Sequence, residues 1–466
     1  MKTIPLLAVL VLAATVPIRS TAAQTLFDYQ PTAKKTILRT DITWVQPKNG
    51  PPFVVVGGVF TFRNVKLNQG IAVHGQGPNP MIWIVTGDFI VDGHLGVDGG
   101  PGESVHTLNS PNFPAKGGIG ACTGGNGGKG SPQTTRSSLL GEQGFGPFQL
   151  PRLGGFGGAS STLINGSRGT GGGGGSLAAQ GDPRYPFKGL QQRGFGGTGG
   201  QSSFASPPGP LLFRDGRNDN DFWGVAVNVF TKRLVVGELP FPIGGQGGGG
   251  GGDQMPNPFN WMQDRKGAGG GGGGGVIIVF ALGRISIGAQ GKISADGGNG
   301  GGGAWVGSNR FGGGGGGGSG GMVVLASRQF IELQVHGETY ANGDYSFSVS
   351  ADGGIGLQES FGTRPFLSKY PPKLHPATNG GMGGMGIVQL MAPIGPNLDR
   401  TNTILDDNIR VMRGATQLGG AQKIRYLAWR GFPNKSGVWV DDSGKPTNIG
   451  ANEGDIRPSP ILLPLF

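Results

Sequence analysis

The sequence predicts an all-β fold: a β-solenoid or parallel β-helix-like stack, interleaved with poly-glycine tracts and long loops. Three observations carry that expectation. First, the chain repeats itself. Residues 82–100 read IWIVTGDFIVDGHLGVDGG, residues 276–298 read VIIVFALGRISIGAQGKISADGG, and residues 322–354 open on MVVLASRQFIELQV and close on SVSADGG. Each copy starts with a short apolar run, passes a polar turn, alternates apolar with polar residues and ends on Asp-Gly-Gly. A weaker fourth copy starts at Gly386 with Ile387-Val388-Gln389-Leu390. Second, glycine supplies 100 of the 466 residues, about three times the usual share of ~7%, and much of it lies in unbroken tracts. Third, no sustained 3.6-residue apolar period runs through the chain, so helices are not expected.

The elements follow in order. Residues 1–23 carry an early lysine, an apolar run from Ile4 to Val16 and small residues before a cleavage point at Ala23. That order describes a secretory signal peptide, and the run is too short, below ~18 residues, to span a bilayer. Residues 24–105 form an N-terminal β segment containing the first repeat. Residues 106–232, rich in Gly, Ser, Asn and Pro, read as a loop insertion with apolar islands such as Phe222–Phe230. Residues 233–395 hold the solenoid repeats and their glycine tracts. Residues 396–466 carry more charge and fewer glycine runs, and read as a cap or small module. Pro458, Pro460 and Pro464 argue against a terminal barrel strand ending on Phe466.

Alternating stretches such as Ile285-Ser286-Ile287 place one face inward and one outward. One such unit cannot bury its apolar face alone, so copies must stack; a sandwich is the competing arrangement. The tracts Gly269–Gly275 and Gly312–Gly318 directly precede apolar openings. They read either as flexible linkers or as polyproline-II-like strands that pack closely for want of side chains. Their systematic placement favours packing.

Lys and Arg outnumber Asp and Glu by 38 to 27, a net charge of +11. The basic residues are scattered, at most in pairs, which excludes a specific nucleic-acid stripe and leaves a diffuse positive field. A single cysteine, Cys122, rules out an intrachain disulfide; it is either a free thiol or an intermolecular link. Residues 127–131 and 317–321 superficially match phosphate-loop and serine-elbow patterns, but neither sits between a strand and a helix. The five histidines lack metal-site spacing, so no metal site and no cofactor is expected. His94 occupies the place of Lys292 in the next repeat, which points it to solvent.

Two residue sets remain. Asp98, Asp296 and Asp352 close the repeats; Asp before Gly is a strong turn former, because its side chain bonds the following backbone, with calcium at the turn carboxylates as the alternative. Trp261, Trp305 and Phe311 sit between glycine tracts, where rings can stack on sugars.

Gly77-Pro78-Asn79-Pro80 before an apolar run, Thr86-Gly87-Asp88, and poly-glycine leading into Val276-Ile277-Ile278 and ending in Ser294-Ala295-Asp296-Gly297-Gly298 together resemble secreted glycine-rich repeat proteins of bacteria. The resemblance covers roughly residues 55–105 and 234–395. It implies an exported, surface or extracellular protein of β-solenoid type, and no reaction. The expectation is therefore a structural or adhesive component facing cell-envelope or extracellular polysaccharide, able to self-associate, with no transmembrane segment. The alternative is a secreted β-helix lyase or hydrolase acting on an acidic glycan.

Overall fold

A computed structural model describes residues 26–105, 114–131, 140–151, 153–158, 160–161, 168–169, 171–175, 177, 222–227, 234–237, 239, 241–252, 266–303, 312–333, 348–354, 356, 380–381, 383–384, 386–393, 409–411 and 461–465. The expected signal peptide lies outside them. No α-helix occurs among the described residues, as the missing 3.6-residue period predicts.

Three parallel sheets organise the chain. The first runs in the order Ile461–Leu465, Ile387–Pro393, Met322–Ser327, Val276–Ala281, Met81–Val85, Val59–Phe62. The second runs Ile409–Val411, Ile331–Leu333, Ile285–Ile287, Phe89–Val91, Val65–Leu67, and the third Lys35–Arg39, Ala72–Gln76, His94–Gly96, Lys292–Ser294, Val349–Ser350. The stretches 59–76, 81–96, 276–294 and 322–350 each contribute one strand to each sheet in turn; among the described residues 387–411 contributes to the first two sheets, 461–465 to the first, and Lys35–Arg39 adds an edge to the third. We number these layers from 1 (residues 59–76) through 2 (81–96), 3 (276–294), 4 (322–350) and 5 (387–411) to 6 (461–465). Layer 3 pairs directly on layer 2, Ile278 opposite Ile82 and Lys292 opposite His94, although residues 97–275 lie between them in sequence.

The register puts like on like. Trp83 faces Val279, Phe89 faces Ile285 and Leu95 faces Ile293, all fully buried in one apolar cluster. Its layer 1–2 end is aromatic: Trp83 stacks on Phe60 at 5.0 Å and meets Phe62, Phe89 and Tyr29 within 6 Å. Later layers are aliphatic. The first sheet is buried on both faces in layers 3–5. Its outer face meets Leu177, Phe222, Leu239 and Ile243 in a second cluster. Gln389, itself fully buried, fastens this cover: its side-chain amide accepts from the Trp223 N–H at 3.1 Å and donates to the Trp223 carbonyl at 2.9 Å.

Both ends carry strands beyond the repeats. At the start, the antiparallel hairpin Ile42–Val45 and Phe53–Val56 buries Val45 and Val55 in the main cluster. At the far end, where a cap or a small module is expected, Ile409–Val411 and Ile461–Leu465 each extend a sheet already present. Pro464 lies in the strand at the edge of this sheet among the described residues, the position in a sheet where proline is tolerated.

The glycine tracts are ordered and laterally bonded. In residues 268–276 every backbone N–H donates at 2.7–3.0 Å, in a repeating order of three partners: Gly313, Glu103, Gly128; then Gly316, Gly100, Gly125; then Ser319, Val97, Cys122. The carbonyls of 268–275 all accept in turn, chiefly from the segments around Gly118, Gly248 and Gly298. A period of three is that of an extended threefold helix, and six neighbouring segments surround this one strand. Leaving one such buried N–H unmet costs about 1–3 kcal/mol, so the tracts hold only as a set. Segments 114–131, 140–158 and 171–175, expected within a loop insertion, are members of the same set: Gly128 donates to Gly248 and Gly155 to Gly247.

Close approach, not unusual backbone angle, demands glycine here. A β-carbon at Gly270 or Gly271 would fall inside 3.0 Å of the carbonyl oxygen of Gly248 or Gly298. Positive φ is confined to corners such as Gly57 and Gly70.

Candidate functional site

The polar residues converge most densely along the third sheet, where strand pairing brings the repeat-closing aspartates into a column. Asp98 Oδ1 accepts from the Asp296 N–H at 2.9 Å, and Asp98 Oδ2 accepts from Ser294 Oγ at 2.8 Å. One layer on, Asp296 Oδ1 accepts from the Asp352 N–H at 2.8 Å and Asp296 Oδ2 from Ser350 Oγ at 2.9 Å. The Ser-Ala-Asp-Gly-Gly sequence therefore encodes a ladder: each carboxylate receives the serine hydroxyl and the aspartate N–H of the following layer. This corrects the turn reading. The side chains of Asp98 and Asp296 bond across layers, not to the backbone that follows them. Layer 2 carries Gly96 where later layers carry Ser294 and Ser350, and a β-carbon there would lie 2.8, 2.9 and 3.0 Å from Asp98 Oδ2, His94 Nε2 and Ser294 Oγ.

A second ladder runs along the corner between the first and second sheets. Asn64 Oδ1 accepts from the Asp88 N–H at 3.0 Å, and Asp88 Oδ1 from the Arg284 N–H at 3.1 Å, with the Arg284 guanidinium returning to Asp88 Oδ2 at 3.1 Å.

Around Asp98 the electrostatics are unusual. His94 Nε2 lies 2.7 Å from Ser294 Oγ and 3.7 Å from Asp98 Oδ2, and its ring meets His74 edge-on at 5.1 Å. Burial, then the Asp296 charge, pushes Asp98 up to about 6. Burial, then the charges of Lys292 and His74, pulls His94 down to about 4. Lys292 Nζ sits 3.1 Å from Asp296 Oδ2. Burial pulls it down, but Asp296, Asp98 and Asp352 outweigh burial and raise it. At neutral pH His94 is thus neutral. With Asp98 ionised, Ser294 donates to the carboxylate and the His94 Nε2–H donates to Ser294.

Serine, histidine and aspartate therefore meet, but in the wrong order for nucleophilic catalysis. That chemistry needs the serine proton directed at histidine and an accessible oxygen. Ser294 is fully buried and its hydroxyl donates to the carboxylate. His94, expected in solvent, has only about a third of its side chain exposed.

The remaining candidates separate. Trp261, Trp305 and Phe311 lie outside the described residues. Cys122 is fully buried beside Val97 and Met81 around Gly75, and burial pushes its thiol up to about 12. An intermolecular link through it conflicts with that burial. Among the described residues no group of three or more His, Cys, Asp or Glu is placed to hold a metal ion, and no helix is long and apolar enough to cross a membrane. The ladders themselves were missed in the sequence; the signal was the recurrence of serine two residues before aspartate in layers 3 and 4.

No protein-family model, no curated protein and no solved structure matches this chain.

Proposed function

We propose that this protein is an exported structural or adhesive component of a cell surface or extracellular matrix, without catalytic activity. In this reading the six layers form one parallel β-solenoid, flanked by a bundle of polyproline-II-like glycine strands, and the function lies in the rigid, repeated surface. The observation that carries it is the carboxylate ladder. The most conspicuous acidic residues, Asp98 and Asp296, are engaged in identical layer-to-layer bonds, whereas an active site is a single arrangement of groups in different roles. The glycine strands add backbone bonding between neighbouring segments.

One observation favours a second reading, a β-helix enzyme acting on acidic glycan. His94, Asp98, Lys292 and Asp296 share one stretch of the third sheet, and Asp98 is held near 6, in the range of a general acid. A single experiment separates the two. The purified chain is incubated with cell-wall and capsular polysaccharides, and adsorption and new chain ends are both measured. Adsorption without new ends is expected. Turnover that Asp98→Asn and Lys292→Ala abolish would replace the scaffold reading with the enzymatic one.

A further inference from the structure

The hairpin closing the layer 1 end has an outward face opposite in character to what a solenoid end needs, which is a polar cover. Ile42 stands opposite Val56 and Trp44 opposite Val54, so the four side chains share one face. They are 57%, 68%, 72% and 40% exposed, while the alternate residues Val45 and Val55 are buried. The same alternation leaves Ile37 exposed on the neighbouring strand, between Lys35 and Arg39.

The charges in the stretch of chain that carries this hairpin are one-sided. Residues 26–66 hold six Lys and Arg against two Asp. Both acids are already engaged: Asp41 takes two bonds from Arg39, at 3.0 and 2.7 Å, and Asp28 two from Arg63, at 2.9 and 2.7 Å. Lys34, Lys35, Lys48 and Lys66 are exposed, and none of them has an ion-pair partner among the described residues. Lys48 sits in the hairpin loop, directly beyond the strand that carries Trp44.

We propose that this end of the molecule docks onto the surface of an anionic lipid bilayer, with Trp44, Ile42, Val54 and Val56 entering the interface and the lysines meeting the headgroups. An amphipathic tryptophan beside aliphatic side chains is suited to the headgroup boundary, and unpaired lysines supply the attraction to anionic lipid. A second copy is a poorer occupant. The four side chains offer roughly 400 Å² of surface, about half the ~800 Å² per partner of a stable interface, and apposing two such ends would bring eight lysines together with no free acid. The proposal concerns a different face from the carboxylate ladder and does not depend on the scaffold reading.

The test is flotation of the purified chain with vesicles of phosphatidylcholine alone and of phosphatidylcholine with phosphatidylglycerol. Binding to the anionic vesicles is expected, falling as salt rises. Trp44→Ser is expected to weaken it at least tenfold, and Lys34→Gln, Lys35→Gln and Lys48→Gln about fivefold each. All four positions are exposed, so the melting temperature should hold, and circular dichroism of each variant checks that the fold is retained. Equal binding to both vesicles, no binding to either, or binding unchanged in Trp44→Ser overturns the proposal. So does a concentration-dependent dimer in sedimentation velocity that Trp44→Ser dissolves, which would assign the face to a second copy.

Discussion

The layered sheets and the glycine bundle solve the same problem by opposite means. In the sheets, side chains do the stabilising: Trp83, Phe89, Leu95 and their partners in the next layers remove apolar surface from water, at about 25 cal/mol per Å², and the backbone bonds follow the register those side chains set. In the bundle few side chains are buried, Gln246 and Ser319 among them, and the packing is largely of backbone on backbone. Ordering each glycine costs about 1–2 kcal/mol of backbone entropy. The return is a backbone bond worth about 0.5–1.5 kcal/mol net, made at both the N–H and the carbonyl along residues 268–275. Near balance per residue explains why the tracts need six neighbours and why they are anchored to the sheets. Residues 268–275 run straight into the strand Val276–Ala281, and the Val276 N–H still bonds the Cys122 carbonyl. One region depends on what its side chains contribute, the other on how few it has.

That contrast can be broken at its two centres. Trp83→Ala empties the widest part of the sheet core, where five aromatic rings meet, and is expected to cost about 3–5 kcal/mol in denaturant unfolding. Gly271→Ala adds one methyl group to the bundle, where the carbonyl of Gly298 already occupies its place, and is expected to cost about 3 kcal/mol. The removal of nine heavy atoms and the addition of one should thus have comparable consequences. If Gly271→Ala melts like the parent chain, the bundle is looser than its hydrogen bonds describe.

The sequence announced the sheets better than the bundle, for a physical reason. Apolar runs and Asp-Gly-Gly endings recur from layer to layer, and aligning the openings at 276 and 322 gives the observed pairs of Val276 with Met322 and Ile278 with Val324, whereas the opening read at Ile82 is two residues out of register, since Ile82 pairs with Ile278. Glycine tracts carry no side-chain pattern, so nothing in residues 114–131 or 171–175 reveals which neighbours they contact. The ladder is intermediate. Its serines and aspartates are visible as letters, but whether Asp296 bonds its own turn or the next layer depends on strand spacing of ~4.8 Å, which only the folded chain supplies. Of residues 396–466, read as a cap or a small module, only the strands Ile409–Val411 and Ile461–Leu465 are described, and each pairs onto a sheet already present.

A smaller effect sharpens the ladder. Asp98 is raised to about 6 from 3.8, so the folded chain holds its proton more tightly, and this group contributes stability at low pH that is lost as pH rises between about 4 and 6. His94 is lowered to about 4 from 6.5, so its contribution is the reverse: lost as pH falls through the window from about 6.5 to 4. The two slopes oppose each other over much the same range, and the parent chain should show little net dependence there. Asp98→Asn is expected to leave the histidine slope, with stability rising by about 1–2 kcal/mol from pH 4 to 6.5. His94→Gln is expected to leave the carboxylate slope, falling by a similar amount. Denaturant midpoints across that pH range read both.

The smallest effect distinguishes the two uses of glycine. Gly57 turns the corner after the hairpin with φ at +75°, and a β-carbon there meets nothing within 4 Å. It is glycine for its backbone angle alone, so Asn, which tolerates the left-handed region, should replace it at a cost of a few tenths of a kcal/mol. A β-branched residue should cost more, about 1–2 kcal/mol. At Gly271 the order should vanish. Its angle is outside the left-handed region, the obstacle is the Gly298 carbonyl, and Asn and Val both place a β-carbon on it, so both should be as damaging as Ala or worse. A melting series of Asn, Ala and Val at the two positions therefore separates conformation from closeness. A graded response at Gly57 and a uniformly large one at Gly271 would mean that the bundle selects glycine for what it lacks, not for how it bends.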